Sequence, residues 1–162
     1  MSLLDLQTPR LRAGRWQDLA EGDLATLFAD PVVRWLPPGF QGLSQAAAQR
    51  GFLGGLAEQA EVAALFDEAG RGAGLVILSL PEPGSRIRSL GYLLAEDVWG
   101  RGLAGELLAA LQAHFHGSGV TLRGGVMQAN AASARVLARA GFSAEAQAGE
   151  TVYSWTAEAP GH

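Results

Sequence analysis

The chain has 162 residues, 12 of them basic and 16 acidic, for a formal net charge of −4. With 48% hydrophobic and 17% charged residues it has the profile of an ordinary globular domain. Its acidic excess argues against nucleic-acid partners, which demand a dominant basic face. No cysteine is present, which removes disulfides, thiolate nucleophiles and Cys-ligated zinc. At about 100–200 residues per domain, the length predicts one domain over residues 1–162. Every basic residue is arginine, which reads as compositional bias. Residues 1–12 carry Asp5 and two arginines and lack an apolar stretch, so no signal peptide is expected. The apolar run at 75–80 falls far short of the roughly 20 residues a bilayer span requires. A cytoplasmic protein without a membrane partner, as monomer or homodimer, is the expectation.

In chain order, residues 8–12 alternate polar and apolar and read as a strand, with Pro9 suited to an edge. Asp23 can cap a short helix carrying Leu24, Leu27 and Phe28, stopped by Asp30-Pro31. Residues 32–40, rich in proline and aromatics, read as a packed loop. Ser44 can cap a second helix to about Gln59, with Phe52, Leu53 and Leu56 inward, although Gly51, Gly54 and Gly55 weaken it. Residues 61–66, 74–80 and 87–95 are strand-length apolar runs separated by turn residues. Leu103, Leu107, Leu108, Leu111 and Phe115 form a helical stripe of period 3.6, ended by Gly117 and Gly119. Residues 120–127 return to strand. Asn130 caps a helix with Leu137 and Ala140 inward, closed by Gly141. Residues 142–147 and 151–156 then flank a hairpin turn at Ala148-Gly149-Glu150. Three successive strands imply antiparallel pairing, while strand–helix–strand over 87–127 implies a parallel neighbour. The fold class is α+β (mixed α/β): one mixed, mostly antiparallel sheet with helices on both faces.

The segment Val98-Trp99-Gly100-Arg101-Gly102-Leu103-Ala104-Gly105-Glu106 lies between a strand and the best helix of the chain. Small residues at 100, 102, 104 and 105 let a ligand approach the backbone, whose amides at a helix N-terminus have no intrahelical partners. Such a turn favours a phosphate-like anion held by N–H groups and the helix dipole; it can equally do no more than close the strand–helix junction. Gly100-x-Gly102-x-x-Gly105 matches the dinucleotide fingerprint literally. That reading needs an acidic residue about 20 positions on, and residues 107–144 contain none. Nor does Gly-Lys-Ser/Thr follow, so the turn is not a P-loop. Residues 99–142 carry Arg101, Arg123, Arg135 and Arg139 against Glu106 alone, a local net of +3 that leaves −7 elsewhere. This suits a polyanionic small ligand. Arg135 and Arg139 are read as solvated arginines on an exposed helix face. Asn130 as an N-cap is explained by structure. Ser133, three and four residues before Val136 and Leu137, has its hydroxyl near the buried face and needs a partner.

Residues 90–104 (Leu90-Gly91-Tyr92-Leu93-Leu94-Ala95-Glu96-Asp97-Val98-Trp99-Gly100-Arg101-Gly102-Leu103-Ala104), then Asn130-x-x-Ser133 and Ala140-Gly141-Phe142, resemble the GNAT N-acetyltransferase superfamily. Thr8-Pro9-Arg10-Leu11-Arg12 and Asp30-Pro31-Val32-Val33-Arg34-Trp35-Leu36-Pro37 are similar to its Rim-type branch, the ribosomal-protein N-acetyltransferases. The resemblance runs from Thr8 to about Trp155. It implies a sheet splayed between the strand ending near Ala95 and the strand at 120–127, with acetyl-CoA as co-substrate in the splay. The pyrophosphate would meet amides of Arg101, Gly102, Leu103, Ala104 and Gly105. The pantetheine arm would pair with backbone of Leu93, Leu94 and Ala95, and Asn130 would contact that arm. Ser133 would protonate the departing thiolate as the catalytic residue, and an N–H near Leu93 or Leu94 would stabilise the oxyanion. The acceptor would be a primary amine, on a small molecule or a protein N-terminus.

The chain departs from the family at Leu137, where many members carry a tyrosine acid. No carboxylate lies on the strand at 88–95, Glu96 and Asp97 read as solvated turn residues, and none of Glu68, Glu145 or Glu150 is assigned as base. His114 and His116 read as bystanders, and no cluster has metal-ligand spacing, so no metal is expected. Trp35 and Phe40 are candidates to wall the amine slot, core packing being the alternative for at least one. The alternatives in other classes are a catalytically silent acyl-CoA-binding module and a nucleotide-binding domain using the same turn.

Overall fold

Residues 2–158 are described in a computed structural model. After a 3-10 turn at Leu3–Asp5 the first strand, β1, spans Arg12–Arg15 rather than residues 8–12. The reason is Thr8, whose hydroxyl accepts from the N–H groups of Arg10 (3.3 Å) and Leu11 (2.9 Å). A side chain that binds its own backbone turns the chain where a strand would extend it. Helix α1 covers Glu21–Leu27, with Asp23 inside its first turn accepting from the Ala20 N–H (3.1 Å) instead of standing at the cap. Asp30-Pro31, expected as a stop, opens a one-turn helix, α2 (Asp30–Val33), because proline suits the first turn of a helix. Helix α3 (Ala46–Ala57) begins after Gln45 without a side-chain cap, so Ser44 does not cap it.

Three antiparallel strands follow, β2 (Ala60–Phe66), β3 (Gly72–Ser79) and β4 (Ile87–Leu94). Then come α4 (Leu103–His114), β5 (Thr121–Met127), α5 (Ala131–Arg139) and the hairpin β6 (Ser143–Gln147) and β7 (Glu150–Thr156). The sheet order is β1-β2-β3-β4-β5-β7-β6. Among the described residues β4 and β5 are the one parallel pair, and α4 joins them.

Residues 63–66 and 72–76 are buried at consecutive positions. Because neighbouring residues of a strand face opposite sides, the sheet is covered on both faces. Leu107, Leu108 and Leu111 of α4 are 0% exposed, and each leucine so buried contributes roughly 1.5–3 kcal/mol. Phe28, Phe40 and Phe52 form an aromatic cluster, with ring centroids from 4.7 to 6.4 Å apart. No helix among the described residues is long and apolar enough to cross a membrane.

The feature that builds a site is a fork in the sheet. β4 pairs with β5 over three residues only, Ile87↔Thr121, Arg88↔Leu122 and Ser89↔Arg123. Beyond them β4 stays with β3 as far as Leu94, and β5 stays with β7 along its whole length. The closed end is pinned by the buried Arg88, which donates to Glu61 Oε2 (2.6 Å) and to the Ser79 carbonyl (2.5 Å). At the fork a Cβ on Gly124 would stand 3.1 Å from the Leu90 carbonyl oxygen, so the strands separate where only glycine fits comfortably.

Candidate active site

The fork opens into a cleft of about 490 Å³. Its walls are β4 at Tyr92, Leu93 and Leu94, the glycine turn and first turn of α4, and α5 at Asn130, Ser133 and Val136. The fourth wall is the α2 segment with Pro31, Val32, Trp35 and Leu36.

Strand register decides which backbone groups of β4 face this space. The Ala95 N–H donates to the Ala73 carbonyl (2.9 Å). Hydrogen-bonded and non-hydrogen-bonded pairs alternate along an antiparallel ladder, so Leu93, opposite Leu75, also spends its N–H and C=O on β3. The groups of Leu90, Tyr92 and Leu94 therefore turn the other way, toward β5; the Arg86 carbonyl, of the same parity, accepts from the Thr121 N–H (2.8 Å). Of the three backbones expected here, only Leu94 points into the splay, and Tyr92 joins it. The Leu94 carbonyl is taken by the Trp99 indole Nε1 (2.8 Å), which leaves its N–H.

Gly100 and Gly102 sit at φ +77° and +79°, the left-handed region that glycine alone enters at little cost. Gly102 is the N-cap of α4 and offers no side-chain cap; the first intrahelical bond runs from the Glu106 N–H to the Gly102 carbonyl (3.1 Å). The N–H groups of Leu103, Ala104 and Gly105 thus lie at the positive end of the helix dipole without intrahelical partners. Gly102, Leu103, Ala104 and Gly105 all line the cleft; Arg101 does not. Its carbonyl instead accepts from Arg10 Nη2 (2.6 Å).

Arg10 is the residue the sequence did not suggest. Its Nε donates to Glu106 Oε2 (2.8 Å), Nη2 pairs with the same oxygen, and Thr8 Oγ1 donates to Oε1 (3.2 Å). Glu106 is the one acid in the arginine-leaning half, and Arg10 neutralises it beside the anion-favouring turn. With the partners 96 positions apart in sequence, no local pattern announces the pair.

Asn130 caps α5, its Oδ1 accepting from the Ser133 N–H (3.3 Å). Its Nδ2 also donates to Ser133 Oγ (3.1 Å). A serine oxygen that accepts from an amide keeps its own proton free to give elsewhere, and Ser133 lines the cleft half-buried. Leu137, where a tyrosine is absent, is buried in the core. Arg135 and Arg139 are exposed as expected, yet they also border the cleft, a correction to their reading as purely solvated. Trp35 walls the cleft, whereas Phe40 is 5% exposed and belongs to the aromatic core. Glu68, Glu145, Glu150, His114 and His116 all lie off the cleft, whose lining has no Asp, Glu or His among the described residues. Asp97 is bound outward by Arg71 (2.5 and 3.2 Å), and that hydrogen-bonded pairing holds its carboxyl below the usual range. Tyr92, unremarked in the sequence, has a hydroxyl shut off from solvent with no hydrogen-bond partner among the described residues. Burial pushes its phenol up to about 12.

A model of the acetyltransferase (GNAT) domain matches residues 10–143 of the chain. Among solved structures, an acetyltransferase from Agrobacterium tumefaciens str. C58 is 24% identical with a TM-score of 0.69, over 93% of this chain and 92% of that one. The RimL ribosomal-protein alpha-N-acetyltransferase, solved in complex with coenzyme A, is 20% identical with a TM-score of 0.73, over 94% and 97%. Mycobacterium smegmatis RimJ, in complex with CoA-disulfide, is 22% identical with a TM-score of 0.72, over 91% and 81%. Likeness at these identities is likeness of fold. No curated protein matches the chain.

Proposed function

The chain belongs to the GNAT acetyltransferase family, and from that premise we propose that it acetylates a primary amine, with acetyl-CoA as donor, by direct attack of the amine on the thioester. The observation that carries this reading is the fork of β4 and β5 beyond Ser89, floored by the uncapped N-terminus of α4. The residues present fit the donor. Left-handed glycines at 100 and 102 and the partner-less amides of residues 103–105 make a cradle for its pyrophosphate. The Tyr92 backbone, turned toward the splay, can pair with its pantetheine arm as a further strand would.

When bound, acetyl-CoA supplies an acyl carbon activated toward nitrogen. The Leu94 N–H is the backbone donor available to negative charge developing on the acyl oxygen, a preorganised contribution that is usually the largest in acyl transfer. Ser133, its oxygen held by Asn130 Nδ2, keeps a proton for the leaving sulfur. Holding amine and thioester in attack geometry contributes up to roughly 7–11 kcal/mol, and this falls to the walls of the cleft. The acceptor is a small-molecule amine or a protein N-terminus; the RimL protein that shares the fold is a ribosomal L7/L12 alpha-N-protein acetyltransferase.

The test is release of free thiol from acetyl-CoA against a panel of peptides, polyamines and aminoglycosides. Amine-dependent release supports the reading. Binding of acetyl-CoA without release against any amine would leave a silent acyl-CoA-binding module.

A further inference from the structure

The unpartnered hydroxyl of Tyr92 lies on a particular side of the sheet. A Cβ on Gly74 would stand 2.8 Å from the Leu94 side chain and 3.3 Å from that of Leu65, so from Gly74 onward the even-numbered residues of β3 share the face of Leu65. Val76 and Gly74 are even-numbered, and Tyr92 and Leu94 sit directly opposite them. Side chains of directly opposed residues share a face. The Tyr92 ring thus projects on the Leu65 face of the sheet, and it borders the cleft together with Val32, Trp35 and Leu36. This wall of the cleft is apolar and aromatic, and one buried polar atom sits behind it with nothing to bind. A buried hydroxyl without a partner is destabilising, a cost removed when a ligand brings the missing partner. The cover over it is light, since α2 is a single turn.

The cleft's charge restricts what that ligand is. Arg135 and Arg139 border it, and no carboxylate or imidazole among the described residues does. A polycationic amine would meet two positive charges and no counter-charge. An amine arriving protonated would find no side chain to take its proton. Near pH 7.5, an α-amine of pKa about 7.7–8.0 is roughly a quarter to two-fifths neutral, whereas an alkylamine of pKa about 10.4 is only about 0.1% neutral.

We propose that the Tyr92 hydroxyl is the hydrogen-bonding group of the acceptor pocket and seats a weakly basic amine on an apolar, otherwise uncharged skeleton. The inference rests on the acetyl-transfer reading above. Two routes are open to the hydroxyl: accepting from the amine N–H, or donating to a carbonyl next to it. With burial pushing the phenol to about 12, it keeps its proton throughout the neutral range.

Tyr92→Phe deletes the oxygen alone, and because that oxygen binds nothing among the described residues, the variant keeps or raises its Tm. Phenylalaninamide and spermidine are the acceptor probes, followed by thiol release, with coenzyme A affinity measured by calorimetry. The parent enzyme should prefer phenylalaninamide by at least about tenfold in kcat/KM. Tyr92→Phe should lose roughly 3- to 10-fold in kcat/KM for phenylalaninamide, mainly through KM, with coenzyme A affinity unchanged. Unaltered kinetics in Tyr92→Phe, or a lowered Tm with unaltered KM, overturns the role of Tyr92. Spermidine used as well as phenylalaninamide overturns the acceptor class and leaves acetyl transfer standing. If coenzyme A binds and neither amine is acetylated, nor any in the wider panel, the transfer reading itself falls and this inference with it.

Discussion

Replacing Gly105 by alanine separates the stability of α4 from its use as an anion cradle. Gly105 lies in the first turn of the helix, a Cβ there would meet no atom within 4 Å, and its φ is not left-handed. Alanine is favoured over glycine in a helix by roughly 0.5–1 kcal/mol, so the free protein should gain a Tm of about 1–4 °C. The same residue lines the cleft, and the new methyl would stand where a phosphate must approach the N–H groups of residues 103–105. Hydrogen bonds to charged groups contribute about 1.5–3 kcal/mol each, so loss of one weakens coenzyme A binding roughly 10- to 150-fold. Thermal melts of the free protein and calorimetry with coenzyme A read the two effects independently. Gly102→Ala is the control. Its φ of +79° costs alanine roughly 1–2 kcal/mol although the nearest atom, an Arg10 nitrogen, is 3.7 Å away; stability and binding should fall together. A Gly105→Ala protein that is stabilised and binds coenzyme A as tightly as the parent would refute the cradle.

Ser133→Ala should cut turnover about 10- to 1,000-fold without abolishing it, measured as thiol release at saturating acetyl-CoA; an unchanged rate removes Ser133 from the reaction. Arg10→Ala leaves Glu106 uncompensated beside the turn, so coenzyme A affinity should fall, and the deficit should shrink as added salt screens the repulsion. Tyr92, held neutral up to about 12 in the folded state against an ordinary 10.0, makes the unfolded chain lose its proton first. Stability due to this group is therefore complete below pH 10 and declines as pH rises toward 12, by about 3 kcal/mol in total. Denaturant titrations across that window should show a shallower decline in Tyr92→Phe.

How much of this was readable in advance follows from the range of the forces involved. The α4 stripe and the hairpin around Gly149 are set by neighbours in sequence, and both stand where periodicity and turn residues put them. Local competition decides two elements against the simple pattern. The Thr8 hydroxyl captures two backbone N–H groups and delays β1, and Pro31 starts a helix instead of ending one. The site divides along the same line. Glycines at 100 and 102 advertise themselves because no other residue accepts their φ without strain, and the Asn130–Ser133 pair is a three-residue spacing.

What no window of sequence contains is parity. The alternation of β4 is plain from its residues, but whether Leu93 or Leu94 turns its N–H into the fork depends on which of them bonds to β3, and that is fixed by the Ala95–Ala73 bond across the sheet. The same register puts the Tyr92 side chain on the Leu65 face of the sheet and its backbone at the splay. One pairing thus sets both the backbone donor available to the acyl oxygen and the hydroxyl offered to the acceptor. A one-residue slip of β4 against β3 would exchange the two parities, giving Leu93 and Gly91 to the fork and carrying the Tyr92 ring to the opposite face. The Arg88 bonds to Glu61 and Ser79, made at the closed end of the fork, oppose that slip, so a residue with no place in the chemistry guards the geometry on which the chemistry depends.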